Sequence, residues 1–313
     1  MSSLSIRRYD RSCSDIWNAF VRDSKNGTFL FNRGFADYHA DRFEDHSLIV
    51  SSGEKIVALL PANADGDTII SHGGLTYGGF ITDSRMGTAL MLDVVSAATE
   101  YMQSAGFTRL VYKPIPHFYH SSPAEEDLYA LYRAGARQIR MDAASAIRMR
   151  DRPGFSKSKR QGAKAARAAG IEVRESRDWR ACWQLLESVL SSRHGVSPTH
   201  SLVEMEKLAA TFPENIRLFG AFSGADMLSA LVMFDCGPTV HVQYIATSPA
   251  GRDAGGVDII VDHLLTDTFR DCIWFDFGIS TLDQGRVLNE GLCRQKEMFG
   301  ARSVIYQQLE LKL

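Results

Sequence analysis

Much is scarce in this 313-residue chain, and each scarcity removes a class of function. It has five cysteines (Cys13, Cys182, Cys236, Cys272, Cys293), scattered and odd in number. None forms a Cys-x-x-Cys pair, so a disulfide framework and a zinc site are not expected, and the thiols read as reduced. No apolar run reaches the roughly 18 residues of a membrane span. The first residues, MSSLSIRRYDRSCSDIW, are polar and charged, unlike a secretory leader, so the expected location is the cytoplasm. Neither a Gly-x-Ser-x-Gly elbow, a Gly-x-Gly-x-x-Gly fingerprint nor a Walker loop is present, which argues against a serine hydrolase, a dinucleotide enzyme and a P-loop NTPase. Neither sign of charge dominates: the formal net charge is −2 and the isoelectric point is near 6.5. Broad nucleic-acid binding asks for a more basic domain.

What is present is a repeat. SLIVSSGEKIVALLPANADGDTIISHGG reads as strand, Gly turn, strand, turn, strand. GTALMLDVVSAATEYMQSAG follows with helical spacing, and FTRLVYKPI returns to a strand. IRLFGAFSGADMLSALVMFDCGPTVHVQYIAT, GGVDIIVDHLLTDTFRD and CIWFDFGIS repeat that order. Gly53 and Gly224 are equivalent, as are Arg109-Leu110-Val111 and Trp274-Phe275-Asp276. Before the second copy, DWRACWQLLESVLSSRHG reads as a helix stopping at Gly195, and SLVEMEKLAATF opens with Ser201 and Glu204 at capping-box spacing. Pro153 and Gly154 in MRDRPGF interrupt regular structure. The expected domains are therefore 1–150 and 151–313.

Charge is uneven in one place. SKSKRQGAKAARAAGIEV, residues 156 to 173, carries five basic residues and one acid. On a helix closed by Gly170, Lys157, Arg160, Lys164 and Arg167 fall within one stripe about 80° wide, with Lys159 about 200° around. Such a stripe is either a solvated face or a site for phosphates, as in a nucleotide diphosphate, coenzyme A or an RNA acceptor stem.

The meander, helix and returning strand are the core of the GNAT acyltransferase fold, and the doubled arrangement resembles the FemAB-type aminoacyl transferases and polysaccharide-associated acetyltransferases. KPIPHFYHSSPAEEDLYALYRAGA, the basic stretch, FPENIRLFGAF and FDFGISTLDQGRVLNEGLCRQKEMFGAR carry the resemblance, which covers nearly the whole chain. It implies an α/β (α+β) fold of two tandem GNAT-like domains, each a mixed, mostly antiparallel sheet flanked by helices. The last strand, VIYQQLELKL, is implied to cross to the first domain. In FemAB-type enzymes basic residues near the domain junction go with the sugar-nucleotide precursor and the transfer-RNA donor, which favours the phosphate reading of the stripe.

GNAT enzymes hold coenzyme A at a Gln/Arg-x-x-Gly-x-Gly/Ala loop, whose backbone N–H groups and helix N-terminus take the pyrophosphate. Here SPAGRDAGGVDII puts Arg252, Gly255 and Val257 at the three positions, with Gly256 between the last two. Val257 brings bulk where a small residue is expected, and Asp253 and Asp258 oppose an anion. A plain strand-to-helix connection is the other reading. The first copy has GGLTYGGFITDSRMG instead, which lacks the motif and either shapes an acceptor pocket or packs, with Gly78 and Gly79 serving a bend.

Further candidates follow from position. Lys113, His117 and Tyr119 follow the first closing strand and are expected to line the cleft between repeats. His117 and His120 have a metal-like spacing but no further ligands, so no metal is expected. In HVQYIATS strict alternation puts His241, Gln243 and Ile245 on one face and Val242, Tyr244 and Ala246 on the other. His241 or Tyr244 can exchange a proton with substrate. Asp276, between aromatics on a buried strand, is a structural acceptor or a site residue. The resemblance puts a lysine before a Phe-Gly pair near the acyl carbonyl. Lys296, Phe299 and Gly300 match it, with Lys296 as oxyanion donor and Asn289 and Glu290 orienting the acceptor or the lysine.

The expectation is an acyltransferase that moves an acyl group, in first place acetyl, from acyl-CoA to an amine or hydroxyl of a sugar-nucleotide or cell-envelope precursor. Aminoacyl-tRNA is the alternative donor, as in FemAB-type transfer to peptidoglycan precursors. A non-catalytic nucleotide- or peptide-binding protein of the same fold is the third reading. The oligomeric state does not follow from the sequence.

Overall fold

A computed structural model describes residues 4–194 and 198–313. The helix stop expected at Gly195 lies outside the described residues. The chain divides into two compact units. Unit 1 comprises the residues up to Ala143 together with Thr281–Val287 and Ile305–Leu313; unit 2 comprises Ala144–Ser280 and Leu288–Val304.

In unit 1, strand β1 (Leu4–Arg8) and helix α1 (Ser14–Asp23) precede a hairpin of β2 (Leu48–Ser52) and β3 (Lys55–Leu60). Gly53 turns this hairpin at φ +60°, where a side chain would be strained. Pro61 ends β3, because proline lacks the N–H a ladder needs. The chain resumes as a second hairpin, β4 (Asn63–Asp65) and β5 (Thr68–Ile70). After β6 (Ile81–Thr82) and α2 (Thr88–Ser104), β7 (Arg109–Tyr112) lies parallel to β5. Helix α3 (Glu126–Arg133) and β8 (Arg137–Arg148) follow. Leu48, Val50, Ala58 and Leu60 face Met91, Val94 and Ala98 of α2 in one core. Burial of each of the larger side chains here, the leucines, valines and Met91, contributes about 1.5–3 kcal/mol.

Unit 2 repeats the plan. Helix α4 (Lys157–Ala168) starts at Ser156, whose Oγ accepts from the Lys159 N–H. It ends where Gly170 adopts φ +75° and the Ile171 N–H reaches back to the Ala166 carbonyl. Strand β9 (Glu172–Ser176), helix α5 (Trp179–His194) and helix α6 (Leu202–Thr211) follow; α6 is opened by a capping box of Ser201 and Glu204. Strands β10 (Ile216–Ser223), β11 (Asp226–Asp235) and β12 (Thr239–Thr247) form an antiparallel meander beside β9, with Gly224 at φ +59° in the first turn. Helices α7 (Pro249–Asp253) and α8 (Gly256–His263) lead to β13 (Trp274–Ile279), which is parallel to β12 and antiparallel to the Ala144–Arg148 end of β8. Helix α9 (Glu290–Glu297) precedes β14 (Arg302–Lys312).

Both units thus place a Gly-turned hairpin, a further strand, a helix and a parallel closing strand in the same order. The far end of β14 pairs antiparallel with β7, Leu309 opposite Tyr112. The unit 2 core gathers Val240, Val242, Phe275 and Phe277 from the sheet and Ile259, Ile260 and Leu264 from the helical side.

Candidate functional site

Strand β12 carries one residue too many. Val232 faces Tyr244 and Met233 faces Val242, so Gln243 is extra and forms a β-bulge. The bulge resets the alternation beyond it: His241 and Tyr244 share one face, while Val242 and Ile245 turn to the core. Strict alternation separates His241 from Tyr244, and the structure corrects that reading.

Immediately before the bulge, β12 and β13 part. Their parallel pairing covers only Thr239–His241 against Trp274–Asp276. His241 and Asp276 are the last register partners, and the His241 Nδ1 lies 2.8 Å from an Asp276 carboxylate oxygen. Asp276 is fully buried, and its other oxygen accepts from the Gly278 N–H at 2.8 Å. Gly278 adopts φ +72°, and a Cβ there would lie 3.1 Å from the His241 ring. Only glycine combines that backbone with that space. In the sequence His241 and Asp276 stand out as separate candidates and Gly278 does not; a glycine inside a strand pattern is the signal that marks it.

Lys296 adds a second support. Its side chain is buried on α9, and Nζ donates to the Gly278 and Ile279 carbonyls at 2.9 and 2.6 Å. Burial pulls its pKa down to about 8, against the upward pull of the Asp276 carboxylate. The lysine therefore clamps the end of β13, the turn that holds Asp276. Phe299 stacks on Phe277, and Gly300 adopts φ +95°. Asn289 does not hold the lysine: its side chain caps α9, accepting from the Leu292 N–H at 3.1 Å. Glu290 is exposed in the first turn of that helix. The Tyr244 hydroxyl is paired with His200, 2.7 Å from Nδ1, and burial raises its pKa. Tyr244 thus packs against α5 through Trp183 rather than standing open.

The glycine-rich loop is used for close packing. A Cβ on Gly255 would lie 2.7 Å from the Gly162 carbonyl oxygen, and one on Gly256 would lie 2.3 Å from Ser229 Oγ. Val257 turns into the core, so its bulk does not obstruct the loop. Asp258 is neutralised by Lys159 at 2.7 Å. The first-turn N–H groups of α8 are the part of the loop able to face an anion, and Arg252 beside them is exposed. Of the basic stripe, Lys157, Arg160 and Lys164 are exposed, whereas Arg167 pairs with Asp262 of α8.

Lys113, His117 and Tyr119 belong to unit 1. Lys113 is buried, donates from Nζ to the Leu75 carbonyl, and is held at a pKa of about 8 by burial and then by Arg140. His117 is exposed, while Tyr119 is buried and its hydroxyl accepts from Tyr306 at 3.1 Å. In the first-copy loop Gly78 and Gly79 permit close approach to Ser71 and Tyr112. His120 donates from Nε2 to the Ile115 carbonyl, 3.0 Å away. Among the described residues no group of three His, Cys, Asp or Glu side chains is placed to hold a metal.

Residues 154–284 match the family model described as an acetyltransferase (GNAT) domain. No curated protein matches the chain. Among solved structures FemX aligns with a TM-score of 0.70 at 12% identity, over 99% of this chain and 97% of its own. L-PGS from Bacillus licheniformis aligns with a TM-score of 0.63 at 11% identity, over 97% and 92%. A tandem GNAT protein from the clavulanic acid biosynthesis pathway aligns with a TM-score of 0.51 at 11% identity, over 99% and 98%. The chain therefore has the fold shared by FemX and the tandem GNAT proteins, and its residues 154–284 are similar to a GNAT acetyltransferase domain.

Proposed function

We propose that this protein is an acyltransferase in which His241 is the general base and Asp276 its positioning partner. The carrying observation is the buried contact between them where β12 and β13 part, inside the segment that matches a GNAT acetyltransferase domain. Donation of the Nδ1 proton to Asp276 leaves Nε2 as the lone-pair nitrogen, and no other protein group occupies it in the described structure. Nε2 takes the proton from the acceptor amine or hydroxyl as that group attacks the acyl carbonyl. The new bond to nitrogen or oxygen forms, the bond to the donor breaks, and the leaving thiolate takes up a proton. Transfer from a thioester needs no metal.

Acetyl-CoA or another acyl-CoA is the proposed donor, on the strength of the domain match. A sugar-nucleotide or cell-envelope precursor is the proposed acceptor, and the exposed Lys157, Arg160 and Lys164 suit its phosphates. The FemX fold favours a second reading, with aminoacyl-tRNA as donor and a peptidoglycan precursor as acceptor. Both readings place the reaction in the cytoplasm. Among the described residues no helix is long and apolar enough to cross a membrane.

The test is release of free thiol from acetyl-CoA with pooled UDP-amino sugars, beside transfer of labelled amino acid from charged tRNA. Turnover in the first assay supports the leading reading, and turnover only in the second supports the alternative. Binding without turnover in either marks a non-catalytic protein of this fold.

A further inference from the structure

The face of β13 that carries Asp276 also carries Trp274, two residues earlier. Their antiparallel partners on β8 are Ala146 and Arg148, and the parallel partner of Asp276 is His241. The opposite face sends Ile147, Phe275 and Phe277 into the core. On the Asp276 side a pocket of about 290 Å³ opens, lined by Ala146, Arg148, Trp274, Arg302 and Ser303, with Asp151 as the one acid among the described residues of its lining. All of these residues belong to unit 2.

The pocket has a fixed wall and a spare positive charge. Gly300, at φ +95°, brings its Cα so near Pro153 that a Cβ would lie 2.3 Å from the Pro153 carbonyl oxygen. Backbone therefore closes that side. Arg148 is 3.7 Å from Asp151, but their side chains are 54% and 63% exposed, so the pair holds weakly. Arg302 donates to the neighbouring Ala301 carbonyl, an acceptor that leaves its charge unneutralised. Two guanidinium groups thus stand against one loosely held carboxylate, beside an indole.

We propose that this pocket is an anion subsite for a phosphate or carboxylate group borne on a flat, partly apolar body. Arg148 and Arg302 take the anion through paired N–H donors, and Trp274 takes the body. The volume limits the occupant to one small group rather than a whole nucleotide. Two residues along a strand span about 7 Å, so a molecule anchored beside Trp274 extends to His241 over a short chain of atoms. The subsite's part in turnover rests on the acyl-transfer reading; its anion binding does not. The anion belongs either to the acyl acceptor or to the donor.

The experiment is calorimetric titration with phenyl phosphate, with phenol as the uncharged control. Wild-type protein binds one equivalent of phenyl phosphate and ignores phenol. Arg148→Gln and Arg302→Gln each weaken binding about tenfold or more, and salt weakens it further. Both arginines are exposed, so thermal melting of the variants stays near wild type and separates lost binding from lost fold. Equal affinity in wild type and both variants, or no saturation by about 10 mM, overturns the subsite. Thiol release by Arg302→Gln then assigns the source. A raised KM for the acceptor with kcat kept points to the acceptor, and a raised KM for acetyl-CoA points to the donor. If neither KM moves, the subsite has no part in turnover. If His241→Ala still binds phenyl phosphate yet wild-type protein shows no turnover, the subsite stands and the acyl-transfer reading fails.

Discussion

His241 and Asp276 meet as the last register partners of two parallel strands, with Nδ1 and the carboxylate 2.8 Å apart. Beyond them the strands diverge, so the pair sits at the opening of a wedge. The Asp276 side chain is 0% exposed and that of His241 15%, so the carboxylate is sealed and the imidazole edge is within reach of solvent. That asymmetry assigns the roles: Asp276 fixes the ring and His241 meets substrate.

Replacing Asp276 with Asn removes the charge that holds the ring. Turnover falls about 10²–10⁴-fold, the range for a disabled general base, while KM for the donor changes little. Steady-state thiol release checks this. An Asn variant with near-wild-type kcat removes Asp276 from the mechanism.

Lys296→Met has two consequences. It strips the clamp from the Gly278 and Ile279 carbonyls, which costs about 2 kcal/mol, since hydrogen bonds to charged groups are worth more than neutral ones. Turnover falls about a hundredfold as the turn under His241 loosens, a loss like that of an oxyanion donor. An effect on kcat with no loss of stability favours a direct role at the acyl carbonyl. The folded pKa of Lys296 is about 8 against 10.5 for a free lysine. Between those values the unfolded chain binds the extra proton, so stability rises with pH there. Urea unfolding shows the gap between wild type and Met variant widening from about pH 8 to 10.5; a constant gap contradicts the assignment.

In unit 1 the Asp127 carboxyl is buried and accepts from the Tyr112 hydroxyl, and burial pushes its pKa up to about 6 from 3.8. A raised carboxyl favours the protonated folded state. Its contribution is full below 3.8 and is lost as pH rises through about 6. Urea midpoints across that window fall with rising pH in wild type relative to Asp127→Asn. Parallel curves would show that Asp127 does not titrate in the fold.

Lys159 and Lys164 part company on charge reversal. Lys159 pairs with Asp258, each side chain 15% exposed, so Lys159→Glu destabilises the α4–α8 contact by about 1–3 kcal/mol. Lys164→Glu leaves melting within about 0.5 kcal/mol and instead weakens a phosphate-bearing ligand at low salt. Unchanged stability in Lys159→Glu would show that the ion pair does not hold the helices.

What was legible in the sequence was local. Hairpin turns at Gly53 and Gly224, the helical spacing of Thr88–Ser104 and the capping box at Ser201 each act within a few residues. The bulge at Gln243 left no mark in HVQYIATS, because a period of two looks unbroken until a neighbouring strand fixes the register. The helical wheel puts Lys157, Arg160, Lys164 and Arg167 on one stripe, but it could not reveal that Arg167 pairs with Asp262 of α8, or that Lys159 meets another aspartate of α8, 99 residues away. His241 and Asp276 were each visible as candidates. Their contact depends on a strand pairing that spans 35 residues and was beyond a reading of composition and spacing.

The most direct test is thiol release from acetyl-CoA with the UDP-amino sugar pool, comparing wild type with His241→Ala at matched donor saturation. If His241 is the base, kcat falls about 10²–10⁴-fold, with donor affinity and melting temperature unchanged. Wild-type turnover retained in the alanine variant would contradict that role.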